Sequence, residues 1–318
     1  MKTDNTRDPL VLDSADDLQS NSFCKRICCD NILRRGQPLV YVYDDLPSEN
    51  RLATRKLHVV LVMLICLLPA VAIICLMLVA KLGILSMFVF HWIGAVAAPC
   101  LYMSLIDQEG LASPLQFLRR QFTGFAVEVQ QWKRGIVLFL GFTALGFVVI
   151  VAISHWCFLV NDLYKPIKIN VETVGIDFST VGALLFVLYF TFVNSMIEEI
   201  FWRGWLLERL GTSRTAIGIS GFFYASYHFF VLYAILPTSL GFHLWGSALV
   251  TLFLVLAGVM FSYIHQIHGI ILSWFIHAAA DACIMLGLVA VYYQTWSPPS
   301  CDSATSNVTR TPSPAAFF

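Results

Sequence analysis

Residues 57–80 read LHVVLVMLICLLPAVAIICLMLVA, a run without a single Asp, Glu, Lys or Arg. Crossing about 30 Å of hydrocarbon takes about 20 apolar residues in an α-helix, so this run is long enough to span a bilayer. After Lys81 a second run of the same kind covers residues 82–106, and the two predict a tight helical hairpin. Further spans follow at residues 135–160, from Val181 into the charged residues near Glu198, and at residues 215–236, 241–264 and 269–293. The expected architecture is an all-α integral membrane bundle of seven transmembrane helices around a polar intramembrane cavity. The count becomes eight if part of the segment 107–134 re-enters. That segment mixes Pro114, Arg119, Arg120, Lys133 and Arg134 with Phe117, Phe122, Phe125 and Trp132, which suits a stretch lying in the interface plane.

The composition agrees. Of 318 residues 58% are hydrophobic and only 13% charged, and the mean hydropathy is +0.74, well outside the ordinary globular range. The formal net charge is zero and no basic run is interleaved with aromatics, so the electrostatic footprint of a nucleic-acid binder is missing. The expected surroundings are a lipid bilayer and a membrane-associated peptide or protein partner, with no nucleic acid. Of the nine cysteines, Cys66, Cys75, Cys100, Cys157 and Cys283 lie in apolar runs, where a free thiol packs as a small hydrophobe. Cys24, Cys28 and Cys29, beside Lys25 and Arg26, lack the His or second CxxC that would make a zinc site.

The chain divides into a polar tail, residues 1–56, a membrane domain, residues 57–293, and a second tail, residues 294–318, rich in Ser, Thr and Pro and expected to be disordered. The first tail has no apolar stretch of signal-peptide type, so the first span is expected to be retained. Basic residues concentrate in the N-terminal tail and in the loops around residues 119–134 and 203–214, which places those three, and the N-terminus, on the cytosolic side. The loop with Lys165, Pro166, Lys168 and Asp177, the turn at Pro237 and the C-terminal tail then face the other side. That tail carries the sequon Asn307-Val308-Thr309.

An ionisable group at bilayer depth costs at least about 2.5–3.5 kcal/mol, so it persists where it is paired, hydrated or used. Such groups recur three times between residues 181 and 293. The first is Glu198-Glu199-Ile200-Phe201-Trp202-Arg203. Adjacent glutamates on a helix diverge by about 100°, while Glu199 and Arg203 stand in the favourable order for an i,i+4 ion pair. Pairing neutralises Glu199 and leaves Glu198 free as a general base. The second is Tyr224-Ala225-Ser226-Tyr227-His228, where Tyr224 and His228 share a helix face. The third is His277-Ala278-Ala279-Ala280-Asp281, with both polar groups on one stripe and alanines that admit a neighbouring helix. Each alone has a structural reading: a lone intramembrane histidine acts as interhelical glue, and charges at a helix end snorkel. Acid pair, histidine, and histidine with carboxylate on separate spans point instead to one site. His58, His91, His155 and His243 have no ionisable partner at i±4 and read as structural, and His265 and His268 as bracketing a turn.

These residues resemble the CPBP (Abi) family of intramembrane proteases, which includes the type II CAAX prenyl endopeptidases and bacterial bacteriocin-processing and immunity proteins. Its motifs are EExxxR, FxxxH and HxxxN or HxxxD. Glu198, Glu199 and Arg203 match the first, His228 the second with Tyr224 in place of Phe, and His277 and Asp281 the third in its Asp form. The resemblance runs from about Val181 to Tyr293 and implies a glutamate-dependent peptidase. Glu198 and His228 would activate water, and His277 and Asp281 would stabilise the oxyanion. Glu199 and Arg203 would hold Glu198, and Tyr224 would meet the substrate. The Asp form implies a bacterial inner (plasma) membrane; in a eukaryotic cell the corresponding place is the endoplasmic reticulum.

An ionised carboxylate cannot donate to an oxyanion, so Asp281 is expected to orient and charge His277, as a buried carboxylate fixes an imidazole tautomer. No cofactor is expected. Zinc held by Glu198, His228 and His277, with Asp281 as a further oxygen ligand, is the alternative, although no HExxH spacing supports it. The expected substrates are membrane-proximal peptides, of prenylated CAAX type or leader peptides. The alternative function is a non-catalytic membrane scaffold or immunity protein; a transporter would show paired, broken helices in two related halves.

Overall fold

The computed structural model describes residues 48–106, 113–122, 125–154, 164–176, 180–238 and 241–293. The readings made above for Cys24, Cys28, Cys29, His155, Cys157, Asp177 and Asn307 lie outside these residues.

Among the described residues seven helices are long and apolar enough to cross a membrane: Leu57–Val79, Gly83–Leu105, Trp132–Ala152, Gly182–Leu210, Arg214–Ile235, Phe242–His268 and Ile270–Ala290. They are numbered here as spans one to seven. Their outer faces carry large exposed apolar side chains such as Val137, Leu145, Leu252 and Phe253, as the lipid phase requires.

The hairpin between the first two spans turns at Lys81, whose φ is +60°. The turn is clamped from outside. Gly83 N–H donates to Val174 C=O at 2.7 Å, and a Cβ on Gly175 (φ +80°) would collide with the carbonyl oxygen of Lys81, so glycine alone fits there. Those clamping residues follow a short helix, Tyr164–Thr173, inside what reads in sequence as a plain polar loop. Pro166 sits in its first turn, where a missing N–H is harmless.

The segment 107–134 resolves into two parts. Ser113–Phe122 is a short helix with Arg119 and Arg120 in its last turn, and the long helix Phe125–Ser154 begins several residues before its membrane span at Trp132.

The fourth span is the main departure from expectation. It does not end at the charges near Glu198 but runs through them to Leu210, where Gly211 (φ +83°) stops it. Ser213 then caps the fifth span by accepting from Ala216 N–H at 3.1 Å. The fourth span alternates α turns with wider π turns at Tyr189–Asn194 and Glu199–Leu206, and the second contains another at Val89–Ala97. Such turns are rare and gather at functional positions.

Two packing features place the site. The fifth and sixth spans cross at Gly221 and Gly258: a Cβ on Gly258 would lie 2.9 Å from Gly221 Cα and 2.8 Å from the Tyr224 ring. Small residues at such a crossing let backbones approach closely. The seventh span is the most interior of the seven and the third the most exposed. The third packs along it, with Gly146 against Cys283 and Gly287 against Ile150. The centre of the bundle is therefore where spans four, five, six and seven meet, with the second span against them.

Candidate active site

Glu198, Glu199 and Arg203 lie inside the fourth span at 2%, 0% and 1% exposure, and His277 of the seventh at 1%. That burial removes the snorkelling explanation: these charges are not at a helix end reaching for water. They are held by one another.

Glu199 is the hub. Its Oε1 makes an ion pair with Arg203 Nη1 at 3.0 Å and accepts from His277 Nδ1 at 2.8 Å. Its Oε2 accepts from the hydroxyl of Ser273. Arg203 Nη2 donates to Gly258 C=O at 3.3 Å, and its guanidinium stands 4.4 Å from the centre of the Tyr224 ring and 5.2 Å from that of Phe261, within cation–π range. Glu199 and Arg203 thus tie the fourth span to the fifth, sixth and seventh. The close Gly221–Gly258 crossing brings Tyr224 and the Gly258 carbonyl to the guanidinium.

Glu198 is placed differently. Tyr227 O–H donates to its Oε1 at 2.7 Å, and His91 Nε2 lies 3.8 Å from the same oxygen. Its Oε2, also buried, has no hydrogen-bond partner among the described residues and faces His277 Nε2 at 3.8 Å. Of the two adjacent glutamates, only Glu198 keeps an uncommitted oxygen. An imidazole nitrogen thus stands 3.8 Å from each of its two oxygens.

Hydrogen-bond partners fix the imidazoles. His228 Nδ1 lies 2.9 Å from Tyr224 C=O; a carbonyl only accepts, so Nδ1 carries hydrogen and the neutral ring offers Nε2 as a base. His277 Nδ1 donates to Glu199, and its Nε2 lies 3.2 Å from the Tyr224 hydroxyl, accepting from it when the ring is neutral and donating when the ring is protonated. The ring also stacks on Phe261, with centroids 4.9 Å apart.

Asp281 does not make the orienting bond to His277. Its Oδ1 lies 3.7 Å from Nε2, while its Oδ2 accepts from Asn194 Nδ2 at 3.0 Å. The carboxylate that fixes His277 is Glu199, which the packing of the fourth span on the seventh brings to its Nδ1. Spacing within one helix could not show that.

The structure gathers Glu198, Glu199, Arg203, Tyr224, His228, His277 and Asp281 in one cluster and adds Asn194, Tyr227, Ser273 and His91. Tyr227 directly precedes His228, whereas i,i+4 spacing singles out Tyr224. Asn194 and Ser273 carried only the weak signal of a polar residue in an apolar run.

Among the described residues no group of three or more His, Cys, Asp or Glu side chains is arranged to hold a metal ion. The Nδ1 atoms of His228 and His277 are committed to protein acceptors, which leaves their Nε2 atoms as the ones available to the cluster.

Residues 180–283 match the Rce1-like family, type II CAAX prenyl endopeptidase Rce1-like. The Rce1-like segment holds the fourth, fifth and sixth spans and the part of the seventh with Ser273, His277 and Asp281. The match and the clustered His and Glu side chains together support, at the level of the family, an intramembrane protease with a His/Glu catalytic cluster. No curated protein and no solved structure matches the chain. His91 lies outside the Rce1-like segment.

Proposed function

We propose that this chain is an intramembrane endopeptidase in which Glu198 is the general base, acting on the membrane-proximal tail of a lipid-anchored substrate of prenylated CAAX type. The observation that carries the reading is the uncommitted Oε2 of Glu198, buried among imidazoles while Glu199 is fully engaged. A leader peptide is the other substrate class compatible with these residues. The N-terminus is taken as cytosolic from the distribution of basic loops.

Water held between Glu198 Oε2 and His228 Nε2 gives its proton to Glu198 as its oxygen attacks the peptide carbonyl carbon, whose π electrons move onto oxygen. His277, carrying two protons and faced by Glu199 at Nδ1, donates from Nε2 to the oxyanion, with the Tyr224 hydroxyl beside it. One such donor is worth about 2.7–4 kcal/mol of barrier. Collapse restores the carbonyl and breaks the C–N bond, and the leaving nitrogen takes the proton from Glu198. Asp281 supplies negative charge near His277 and is itself held by Asn194.

The test of the substrate class is incubation of the purified protein with a farnesylated CAAX peptide beside its unprenylated counterpart. Cleavage of the farnesylated peptide at least ~10-fold faster, as burial of a long apolar chain in lipid favours, supports this reading. Equal rates on both would remove the prenyl group from it.

The roles of the two carboxylates near His277 separate by mutation. Asp281→Asn keeps an oxygen for Asn194 and leaves the Glu199 bond intact, so its kcat is expected within about 10-fold of wild type. Glu199→Gln is expected to lose about 100-fold or more, as loss of a tautomer-fixing carboxylate does. Steady-state kinetics decide; an Asp281→Asn variant as slow as Glu199→Gln would return the orienting role to Asp281.

A further inference from the structure

His91 belongs to the second span and to no motif. It is fully buried at 0% exposure. Its ring lies against Phe90 and Phe190, with centroids 4.3 and 5.9 Å away, and its Nδ1 is 3.2 Å from the Tyr189 hydroxyl. Its Nε2 is buried and has no hydrogen-bond partner among the described residues. A histidine that serves only packing has both nitrogens satisfied, because an unpaired buried polar group costs about 1–3 kcal/mol. Here the unpaired nitrogen points at a carboxylate, 3.8 Å from Glu198 Oε1.

The tautomer follows from the two neighbours. A lone pair on Nε2 facing a carboxylate oxygen is repulsive, whereas an N–H facing it is attractive. With hydrogen on Nε2, Nδ1 accepts from the Tyr189 hydroxyl, which agrees with the observed contact. Oε1 of Glu198 then lies between two donors, Tyr227 O–H at 2.7 Å and His91 Nε2–H at 3.8 Å. The Tyr227 hydrogen bond and the longer-range attraction of His91 Nε2–H both favour the orientation in which Oε2 faces His277.

We infer that His91 is a positioning residue for Glu198, through which the second span completes a site otherwise built from spans four to seven. The inference rests on the peptidase reading above, since it assigns His91 a task in that reaction. It means that the front half of the chain does more than anchor the Rce1-like segment.

The test compares His91→Phe, which keeps a flat ring among Phe90 and Phe190, with His91→Gln, whose amide nitrogen can replace Nε2–H. Wild type and Glu198→Gln serve as controls, all reconstituted in lipid vesicles and assayed on the farnesylated peptide, with thermal unfolding recorded for each. Expected are a kcat about 10-fold lower in His91→Phe at unchanged KM and wild-type unfolding temperature, and recovery to within about threefold of wild type in His91→Gln, effects of the size seen when an orienting contact is lost. Wild-type kcat in His91→Phe would overturn the inference, as would equal losses in both variants tracking a lowered unfolding temperature, or a rise in KM alone. A wild type that cleaves nothing, or an active Glu198→Gln variant, would overturn the peptidase reading, and this inference with it.

Discussion

Glu198→Gln is expected to lower kcat by about 10²–10⁴-fold with KM little changed, the range attributed to a positioned general base. The substitution is close to isosteric, and Tyr227 can still donate to the remaining carbonyl oxygen of the side chain. What it removes is the oxygen proposed to take the proton from water, Oε2, the one with no hydrogen-bond partner among the described residues. Unfolding temperature should therefore stay near wild type or rise slightly, since a buried carboxylate is exchanged for a neutral group. Kinetics on vesicle-reconstituted protein check the first half and calorimetry or dye-monitored unfolding the second. A variant that lost stability and activity together would mean that Glu198 is a structural group.

Arg203→Met has the opposite signature. Removing one partner of a buried ion pair strands the other and costs about 3–5 kcal/mol, far more than the intact pair is worth relative to an apolar replacement. Here the stranded group is Glu199, whose remaining contacts are Ser273 and His277, and the guanidinium also leaves Gly258 C=O and the Tyr224 and Phe261 rings. Arg203→Met should therefore unfold at much lower denaturant or temperature. The double variant Glu199→Gln/Arg203→Met should recover part of the loss, because it strands no charge. Strictly additive losses in this double-mutant cycle would show that the two side chains do not depend on each other.

How much of this was legible in the sequence depended on whether the determining interaction lay within one helix. The spans were readable because lipid imposes length and apolarity on each segment separately, and all seven begin within about three residues of the expected positions. The Glu199–Arg203 pair was readable for the same reason, being a contact between neighbours on one helical face. The Lys81 hairpin and the turn at Gly269 between the last two spans were marked by interruption of the apolar run.

Contacts between spans were not readable. His91 has no polar residue four positions away and reads as structural, yet its partner Glu198 comes from a span more than a hundred residues later in the chain. Glu199 rather than Asp281 orients His277, a choice made by how the fourth and seventh helices are rotated against each other, and π turns at Tyr189–Asn194 and Glu199–Leu206 alter that rotation. Local hydrophobic periodicity carries no trace of those turns. The continuation of the fourth span to Leu210 was hidden as well: charges that satisfy one another internally look, in sequence, like the end of a membrane helix.

The claim on which the account depends is that water activated beside Glu198 attacks the peptide bond directly. Cleavage of a membrane-anchored farnesylated peptide by reconstituted wild-type protein in H₂¹⁸O, quenched within the first turnover and read by mass spectrometry, measures this. The account predicts one ¹⁸O in the new carboxylate from the first product molecule onward. A first-turnover product carrying only ¹⁶O, which requires an oxygen supplied by the protein through a covalent intermediate, or no cleavage at all, would contradict it.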